Sequence, residues 1–480
     1  MSEPYELTLS EAAMAIARGE LSPVTLTESV LSRVEQAEPQ LNAFACVTAE
    51  IAQAAAKQAE QEIAEGSYRG PLHGIPLGVK DLYETAGVPT TSSSKVRADY
   101  VPTSDSTVVA RLLNAGMIMI GKTHTHEFAL GGITPTTRNP WNTAHIPGGS
   151  SGGSGAAVAS GEVMVGLGSD TGGSIRMPAA LCGTVGLKPT YGLVSRRGVA
   201  SLSWSLDHVG PLTRTVRDTA LVMDVIAGYE RADPASVDLT GSGAGPGYTA
   251  ALDTGAAQDL TGITVGVPTN LFFDDVDPEV EAAVRAAVAT LGDLGARVVE
   301  VTIPMADLIP AAAQLIVRAE VASYHRSMLR EKGDLYTEQV RLGIEAGNLV
   351  LAIDYVDALR VRTLVQQAWA EMITTAGVDV VAAPSTPFPA PPADLGEITW
   401  PSGSVEKHSR GVGRYSSPAN LLGLPGLSVP VGISGEQSVI TAGLPIGMQL
   451  IGRPFDEATV LRVGHAYEQT RTPMLPVLHG

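Results

Sequence analysis

Two glycine-rich stretches of the sequence each hold a serine between glycines, and a serine in such a place could act as a nucleophile. One is PGGSSGGSG, residues 147–155, which contains Ser150, and the other is SDTGGSIRMP, residues 169–178, which contains Ser174. Glycine pairs cost backbone entropy, so they recur where the backbone turns sharply or approaches another group closely. The pattern alone leaves three interpretations open: tight turns, phosphate-binding loops and a nucleophile site.

A lysine accompanies these serines within about a hundred residues. Lys80 ends the apolar stretch IPLGVK, which predicts a strand, so its stem is expected in apolar surroundings. An isolated lysine of this kind is usually a surface residue with its amine in water. Burial would instead lower the pKa of the amine, and a neutral lysine can remove the proton of a serine hydroxyl. We therefore consider Lys80 together with Ser150 and Ser174.

Three other motifs match functional patterns but lack the context that their chemistry needs. GMIMIGKT, residues 116–123, fits a nucleotide-binding loop, yet its apolar centre predicts a strand. HTHE, residues 124–127, begins like a metal site, but no further histidines follow at ligand spacing. GGSSG, residues 148–152, fits the nucleophile elbow of α/β-hydrolases but follows a loop instead of a strand. We expect no cofactor and no metal.

The elements that must position these residues alternate along most of the chain. Near the N terminus, Thr8 and Glu11 predict a capping box, and Ser22 with Pro23 predicts the start of an amphipathic helix. From residue 71 onward, short apolar runs alternate with helical stretches, which indicates an α/β fold with one large mixed sheet covered by helices. The runs predicted as buried strands are GMIMIG, VMVGLGSD, ITVGVP, RVVEVTIP, DVVAAPS, GLSVPVG and PIGMQLIG.

Composition narrows the partners and the compartment. The 480 residues carry 32 basic and 50 acidic side chains, a formal charge of −18, and no basic run. Direct binding to nucleic acid or to an anionic membrane is therefore not expected. No apolar stretch is long enough to span a membrane, and Cys46 and Cys182 are expected as free thiols, so the predicted location is the cytoplasm. A homodimer is left open.

The stretch from Gly148 to Gly192 resembles the signature of the amidase signature family of serine hydrolases nearly throughout. The blocks GIPLGVKD, GKTHTHEFALGG, RNPWN, SLDHVGPLTRTVRD and PANLLGLPGLSVP are similar to the flanking family blocks, so the resemblance spans almost the entire chain. It implies a single domain over residues 1–480. Its expected parts are an N-terminal helical segment 1–66, a catalytic core 67–225, a variable linker 226–262, and the remaining strands with a helical substrate cap 263–480.

The resemblance also implies a Ser–cis-Ser–Lys triad. Carried over by position, Ser174 is the nucleophile, Ser150 the bridging serine and Lys80 the base, and the Gly149–Ser150 peptide bond is cis. The glycines around Ser174 would let backbone N–H groups converge on a carbonyl oxygen, as an oxyanion hole requires. The expected donors are the N–H groups of Thr171, Gly172, Gly173 and Ser174.

Supporting residues are expected around this triad. Gly131 and Gly132 are expected at the wall of the substrate pocket. Asp170 and Arg176 are either an ion pair that holds the Ser174 loop or independent solvated charges. Ser151 is expected as a loop or helix-cap hydroxyl without a catalytic role.

The activity that the resemblance implies is hydrolysis of a C–N bond in a small amide, anilide or carbamate, with esters also open, through an acyl-enzyme on Ser174. The alternative is the glutamine-hydrolysing A subunit of a tRNA-dependent amidotransferase. Those subunits usually carry an aspartate five residues before the proline of PANL, and this chain has Gly413 there. A free glutamine's α-amino group would call for a carboxylate at that place, so the sequence favours the stand-alone enzyme.

Overall fold

A computed structural model describes residues 3–241, 245, 247–253 and 258–472. Part of the predicted linker 226–262, namely residues 242–244, 246 and 254–257, lies outside the described residues. The strands are β1 (Phe44–Val47), β2 (Pro76–Lys80), β3 (Ile118–Thr123), β4 (Val165–Asp170), β5 (Val185–Lys188), β6 (His208–Thr213), β7 (Thr264–Pro268), β8 (Arg297–Val301), β9 (Val380–Pro384), β10 (Glu397–Thr399), β11 (Val405–Lys407), β12 (Gly426–Ile433) and β13 (Pro445–Ile451).

Eleven of these strands form one sheet, in the order β1-β3-β2-β4-β6-β5-β12-β13-β9-β7-β8. Pairing is parallel between β2 and its neighbours β3 and β4, and antiparallel between β4 and β6 and between β12 and β13. The predicted mixed sheet is therefore confirmed. β10 and β11 form a separate two-stranded sheet.

Helices flank the sheet. The N-terminal ones follow the predicted signals, since α1 begins with the Thr8–Glu11 capping box and α2 begins after Ser22 with Pro23 in its first turn. The α-helices are α1 (Leu9–Ala17), α2 (Pro23–Leu41), α3 (Ala49–Ala64), α4 (Thr107–Asn114), α5 (Gly152–Ser160), α6 (Arg176–Cys182), α7 (Val216–Ile226), α8 (Tyr248–Leu252), α9 (Pro278–Asp293), α10 (Leu308–Lys332), α11 (Glu338–Gly347), α12 (Ala352–Ala376), α13 (His408–Gly411), α14 (Ser417–Leu422) and α15 (Glu457–Glu468).

Two strand predictions need comment. GMIMIGKT is indeed a strand, because β3 runs through its apolar centre to Thr123. RVVEVTIP forms β8, but the prediction that this strand is buried is wrong. β8 lies at the edge of the sheet and pairs only with β7, which leaves Arg297, Val298 and Glu300 exposed.

The helices α11 and α12 both pack against the long helix α10, which also contacts α14. Glu320 of α10 ties this group to the loop before β6. Its carboxylate accepts hydrogen bonds from the Ser203 hydroxyl at 2.6 Å, from the Ser205 hydroxyl at 2.8 Å and from the Tyr355 hydroxyl at 2.9 Å. None of the helices in the described part of the chain is long and apolar enough to cross a membrane.

Candidate active site

Lys80 is the fully buried last residue of β2, and three serine hydroxyls surround its amine. Its Nζ donates hydrogen bonds to Ser150 Oγ at 2.8 Å, to Ser151 Oγ at 2.7 Å and to Ser169 Oγ at 2.9 Å. Ser150 and Ser151 come directly before α5, and Ser169 lies on β4. Because β2 and β4 run parallel, their carboxyl ends meet at one edge of the sheet and bring Ser169 to the amine.

Burial lowers the pKa of Lys80 from its ordinary value to about 7. The carboxylates of Asp170 and Asp207 act in the opposite direction and raise it. A buried amine with this pKa is neutral in a large fraction of molecules near pH 7, and only the neutral amine has a lone pair that can accept a proton. The three hydroxyls hold the amine in place in either protonation state.

The peptide bond between Gly149 and Ser150 is cis. The Ser150 carbonyl accepts a hydrogen bond from the His126 N–H at 3.1 Å and one from the Thr134 hydroxyl at 2.9 Å. Gly149 packs so closely on Ile133 that a Cβ at this position would lie 2.6 Å from the Ile133 carbonyl carbon. These contacts fix the backbone that presents the Ser150 hydroxyl to Lys80.

The loop from β4 to α6 presents Ser174, and the Asp170 carboxylate organises it. Asp170 Oδ1 accepts the Gly173 N–H at 2.7 Å, and Oδ2 accepts the Ile175 N–H at 3.2 Å. Gly173 has φ +119°, a conformation that disfavours residues with a side chain, and a Cβ there would lie 2.3 Å from Ser416 Cβ. Glycine is therefore required at position 173 by both backbone conformation and space.

Asp170 and Arg176 form a buried ion pair, with Arg176 Nε 3.1 Å from Asp170 Oδ2. Burial alone would raise the pKa of the Asp170 carboxyl, but the Arg176 guanidinium holds it well below its usual range. Arg176 Nη2 also donates to Asn420 Oδ1 at 2.6 Å, and Arg176 Nη1 donates to Gln449 Oε1 at 2.8 Å. The pair is therefore a buried link between the Ser174 loop and the C-terminal strands and not two independent solvated charges.

The expected oxyanion hole needs one correction. The Gly173 N–H is already used by Asp170, so it cannot also donate to a substrate oxygen in this conformation. The N–H groups of Thr171, Gly172 and Ser174 have no hydrogen-bond partner within the residues that the structure describes. Three of the four expected donors are thus available.

Ser174 is 6% exposed and lines a pocket of about 210 Å³. Its Oγ makes no hydrogen bond with any described residue, whereas its carbonyl accepts the Ser151 N–H at 3.3 Å. The structure therefore joins Lys80 directly to Ser150 and sets Ser174 beside them without a hydrogen bond to either. We call this cavity the Ser174 pocket; its lining includes Ala129, Gly131, Gly132, Thr171, Gly172, Met177, Leu202, Val317, Ser409, Arg410, Val412 and Gly413.

Three neighbours of the site were missed by sequence reasoning. Ser151, expected to be a loop hydroxyl, contacts the lysine amine directly, and so does Ser169. Asp207 accepts the Thr171 hydroxyl at 2.6 Å, and burial raises its pKa. The alternation of side chains along β4 could have pointed to Ser169, but only after the pairing of β2 with β4 was known.

The histidines of HTHE lie against residues of neighbouring loops. His124 Nδ1 lies 3.1 Å from the Ser93 hydroxyl, and His126 lies buried beneath Gly131. Within residues 3–241, 245, 247–253 and 258–472, no group of three or more histidine, cysteine, aspartate or glutamate side chains is arranged to hold a metal ion.

Comparisons with known proteins find relatives over nearly the whole chain. A sequence model described as Amidase matches residues 25–461. An amidase of Pseudomonas putida is 48% identical over 98% of this chain and 97% of its own length. The A subunit of the Glutamyl-tRNA(Gln) amidotransferase of Roseiflexus sp. (strain RS-1) is 44% identical over 98% of this chain and 99% of its own. A solved structure, described as a vestigial protein complex that reveals the origins of an s-triazine catabolic enzyme, superimposes with a TM-score of 0.90 at 34% identity, covering 98% of this chain and 100% of that one.

Proposed function

Because the chain belongs to the amidase family and is an amidohydrolase, we propose that it cleaves small amide-type substrates with Ser174, Ser150 and Lys80 as its triad. The observation that carries the proposal is the contact of 2.8 Å between the buried Lys80 amine and the Ser150 hydroxyl, beside a pocket that exposes Ser174. Ser174 is the nucleophile, Lys80 the base, and Ser150 the relay between them.

Acylation follows from these positions. Neutral Lys80 accepts the proton of Ser150, and Ser150 accepts the proton of Ser174 while Ser174 Oγ bonds to the substrate carbonyl carbon. As the tetrahedral intermediate collapses, the C–N bond breaks and the nitrogen takes a proton back from Ser150. A water molecule then attacks the acyl-enzyme through the same relay and releases the acid. The relay requires a Ser174–Ser150 hydrogen bond in the substrate complex, where such contacts tighten.

Charge on the carbonyl oxygen is stabilised by the free backbone N–H groups of the Ser174 loop. Thr171, Gly172 and Ser174 supply these donors, and the Asp170–Arg176 pair positions them. Removal of one oxyanion donor typically costs about 3 kcal/mol of transition-state stabilisation. Side chains and amides thus meet every need of the reaction, and we propose that it is metal-independent.

A serine-directed sulfonyl fluoride tests the triad. The reagent is expected to label the peptide that contains Ser174, and Ser174→Ala is expected to abolish both labelling and amide hydrolysis. Ser154→Ala is the matched control, because Ser154 is also buried in the glycine-rich segment but bonds to Thr123 and Leu167 instead of Lys80. Labelling that persists in Ser174→Ala would contradict the assignment.

A second candidate activity is glutamine hydrolysis as an amidotransferase A subunit, which the 44% identity to such a protein favours. Gly413 lines the Ser174 pocket, and a Cβ there would meet only ordinary contacts, 3.5 Å from Met177 Sδ. The pocket therefore has room for an aspartate that the chain lacks. Hydrolysis of glutamine by the purified chain, faster than that of simple amides, would favour this candidate; a gain of glutamine hydrolysis in Gly413→Asp would favour the stand-alone enzyme.

The proposal also covers the range of substrates, the domain organisation and the location of the protein. Carbamates and esters are included as substrates because the same acyl transfer cleaves them. Residues 1–480 act as one domain, with the parts given above, since one sheet takes strands from residues 44 to 451. A cytoplasmic location is supported by the two free cysteines.

A further inference from the structure

A second cavity adjoins the Ser174 pocket. Ala129 and Leu202 line both cavities, so the two share a wall. The second cavity has a volume of about 210 Å³. We call it the Trp204 pocket; the lining residues used below are Ser169, Arg196, Trp204, Asp207, His208 and Asp233.

The Trp204 pocket reaches the proton-transfer end of the site. Ser169 lines it, and Ser169 Oγ is 2.9 Å from Lys80 Nζ. In the proposed reaction the leaving nitrogen takes its proton from the Lys80–Ser150 relay. The amine half of the substrate must therefore lie on the lysine side of Ser174, which leaves the rest of the Ser174 pocket, lined in part by Gly413, for the acyl half.

Three of the charged side chains that line the Trp204 pocket, namely Asp207, Arg196 and Asp233, have partners within the protein. The Asp207 carboxylate accepts hydrogen bonds from Thr171 and Ser201 hydroxyls and from the N–H groups of Leu202 and Ser203. Arg196 lies 3.6 Å from Asp233. The exposed Arg197 also lines the pocket, and its positive charge disfavours a cationic ligand, so the pocket favours a neutral leaving group over an ammonium ion.

An aromatic side chain forms the rim of the Trp204 pocket. Trp204 is 58% exposed, and the Arg196 guanidinium lies 5.6 Å from its ring centre and 4.7 Å from that of Tyr191. This stacking holds the indole in place while leaving it accessible. A fixed, exposed aromatic face at the rim of this cavity is suited to stacking with a planar ring.

His208, which lines the Trp204 pocket, offers one hydrogen-bond acceptor. His208 Nδ1 faces the carbonyl oxygens of Leu206 at 2.7 Å and Asp170 at 3.2 Å, so it carries the proton, and Nε2 is left as an acceptor. Nε2 is buried and has no hydrogen-bond partner in the described part of the chain. A ligand with an N–H or O–H group would satisfy it.

From these features we propose that the Trp204 pocket binds the leaving group of the substrate and that this group is a neutral aromatic amine. The inference rests on the proposed function and names its substrate class: N-aryl amides, from which C–N cleavage releases an arylamine protonated at nitrogen by the Ser150 relay.

The test compares a primary amide with the anilide of the same acid. Ala232 lines the Trp204 pocket and is exposed, so Ala232→Trp is expected to fill the cavity. It should lower the ratio of kcat/KM for anilide over primary amide at least about tenfold, as steric exclusion from a pocket does. Trp204→Ala should lower the same ratio about two- to tenfold through loss of ring stacking.

Matched controls separate the possible outcomes. Ala289→Trp places the same bulk on the exposed surface of α9, outside both pockets, and should leave the ratio unchanged. Two results would overturn the inference about the Trp204 pocket but not the proposed function. One is a kcat/KM ratio that is unaltered in both pocket variants. The other is an effect that follows the size of the acyl group while the leaving group is kept constant. If the wild type hydrolyses neither substrate, or Ser174→Ala is as active as the wild type, the proposed function fails as well.

Discussion

The buried amine of Lys80 allows the pH dependence of catalysis to be calculated. With a pKa of about 7 instead of the ordinary 10.5, roughly half of the amines are neutral at pH 7 instead of about one in 3000. Because only the neutral amine acts as a base, kcat/KM should rise tenfold per pH unit below 7 and level off above about 8. Burial of Lys80 thus raises the fraction of enzyme molecules with a neutral amine by about three orders of magnitude at neutral pH.

The assay is a profile of kcat/KM between pH 5 and 10 with a primary amide, which reports the pKa of the free enzyme. Lys80→Arg retains the positive charge but cannot lose its proton, so it should lose at least about 10³-fold in kcat. Circular dichroism and thermal unfolding of the variant check that it folds. A flat profile, an acid limb centred near 10, or a Lys80→Arg enzyme with more than a tenth of the wild-type rate would refute the role of Lys80.

The same lowered pKa predicts a cost in the stability of the folded chain. The unfolded chain binds the lysine proton below pH 10.5 and the folded chain only below about 7, so stability falls as pH drops across this window and is constant beneath it. The penalty at pH 7 is about 4 kcal/mol, against about 3 kcal/mol gained from three hydrogen bonds. Lys80→Met should therefore be inactive yet more stable at pH 7 by about 1 kcal/mol in urea unfolding.

Four further outcomes are expected. Gly173→Ala should abolish activity and lower the melting temperature. Gly172→Ala should fold normally and raise KM, because a Cβ at position 172 meets nothing within 4 Å. If the two variants behaved alike, the geometry of the Ser174 loop would be contradicted. Arg176→Met leaves the Asp170 carboxylate buried without its partner and should cost about 3–5 kcal/mol in chemical denaturation. Asp207→Asn removes a charge that raises the pKa of the Lys80 amine, so the acid limb of the pH profile should move to lower pH. Dialysis against a chelator should leave the hydrolysis rate unchanged, and a loss restored by added metal would contradict the metal-independent reaction.

Much of the fold could be predicted because its signals are local. The caps at Thr8 and Ser22 use residues within three positions of the helix start, and the central strands are continuous apolar runs. The burial of RVVEVTIP was predicted wrongly, because its composition does not tell whether a second strand covers its far side. Edge position is a property of the whole sheet.

The site shows the same division between local and long-range information. Glycine-flanked serines and a lysine after an apolar run mark Ser150, Ser174 and Lys80 in the sequence. That Ser169 touches the amine depends on β2 pairing with β4, across 89 positions of the chain. The Gly173 N–H was assigned to the oxyanion hole because a sequence does not reveal which way an amide points. In the folded loop Asp170 turns it inward.

The buried link from Arg176 to Asn420 and Gln449 spans 244 and 273 positions of the chain. During synthesis the N-terminal part of a chain leaves the ribosome first, so Ser174 emerges long before Asn420 and Gln449. A chain truncated before Asn420 therefore carries Ser174 without the side chains that hold its loop in place.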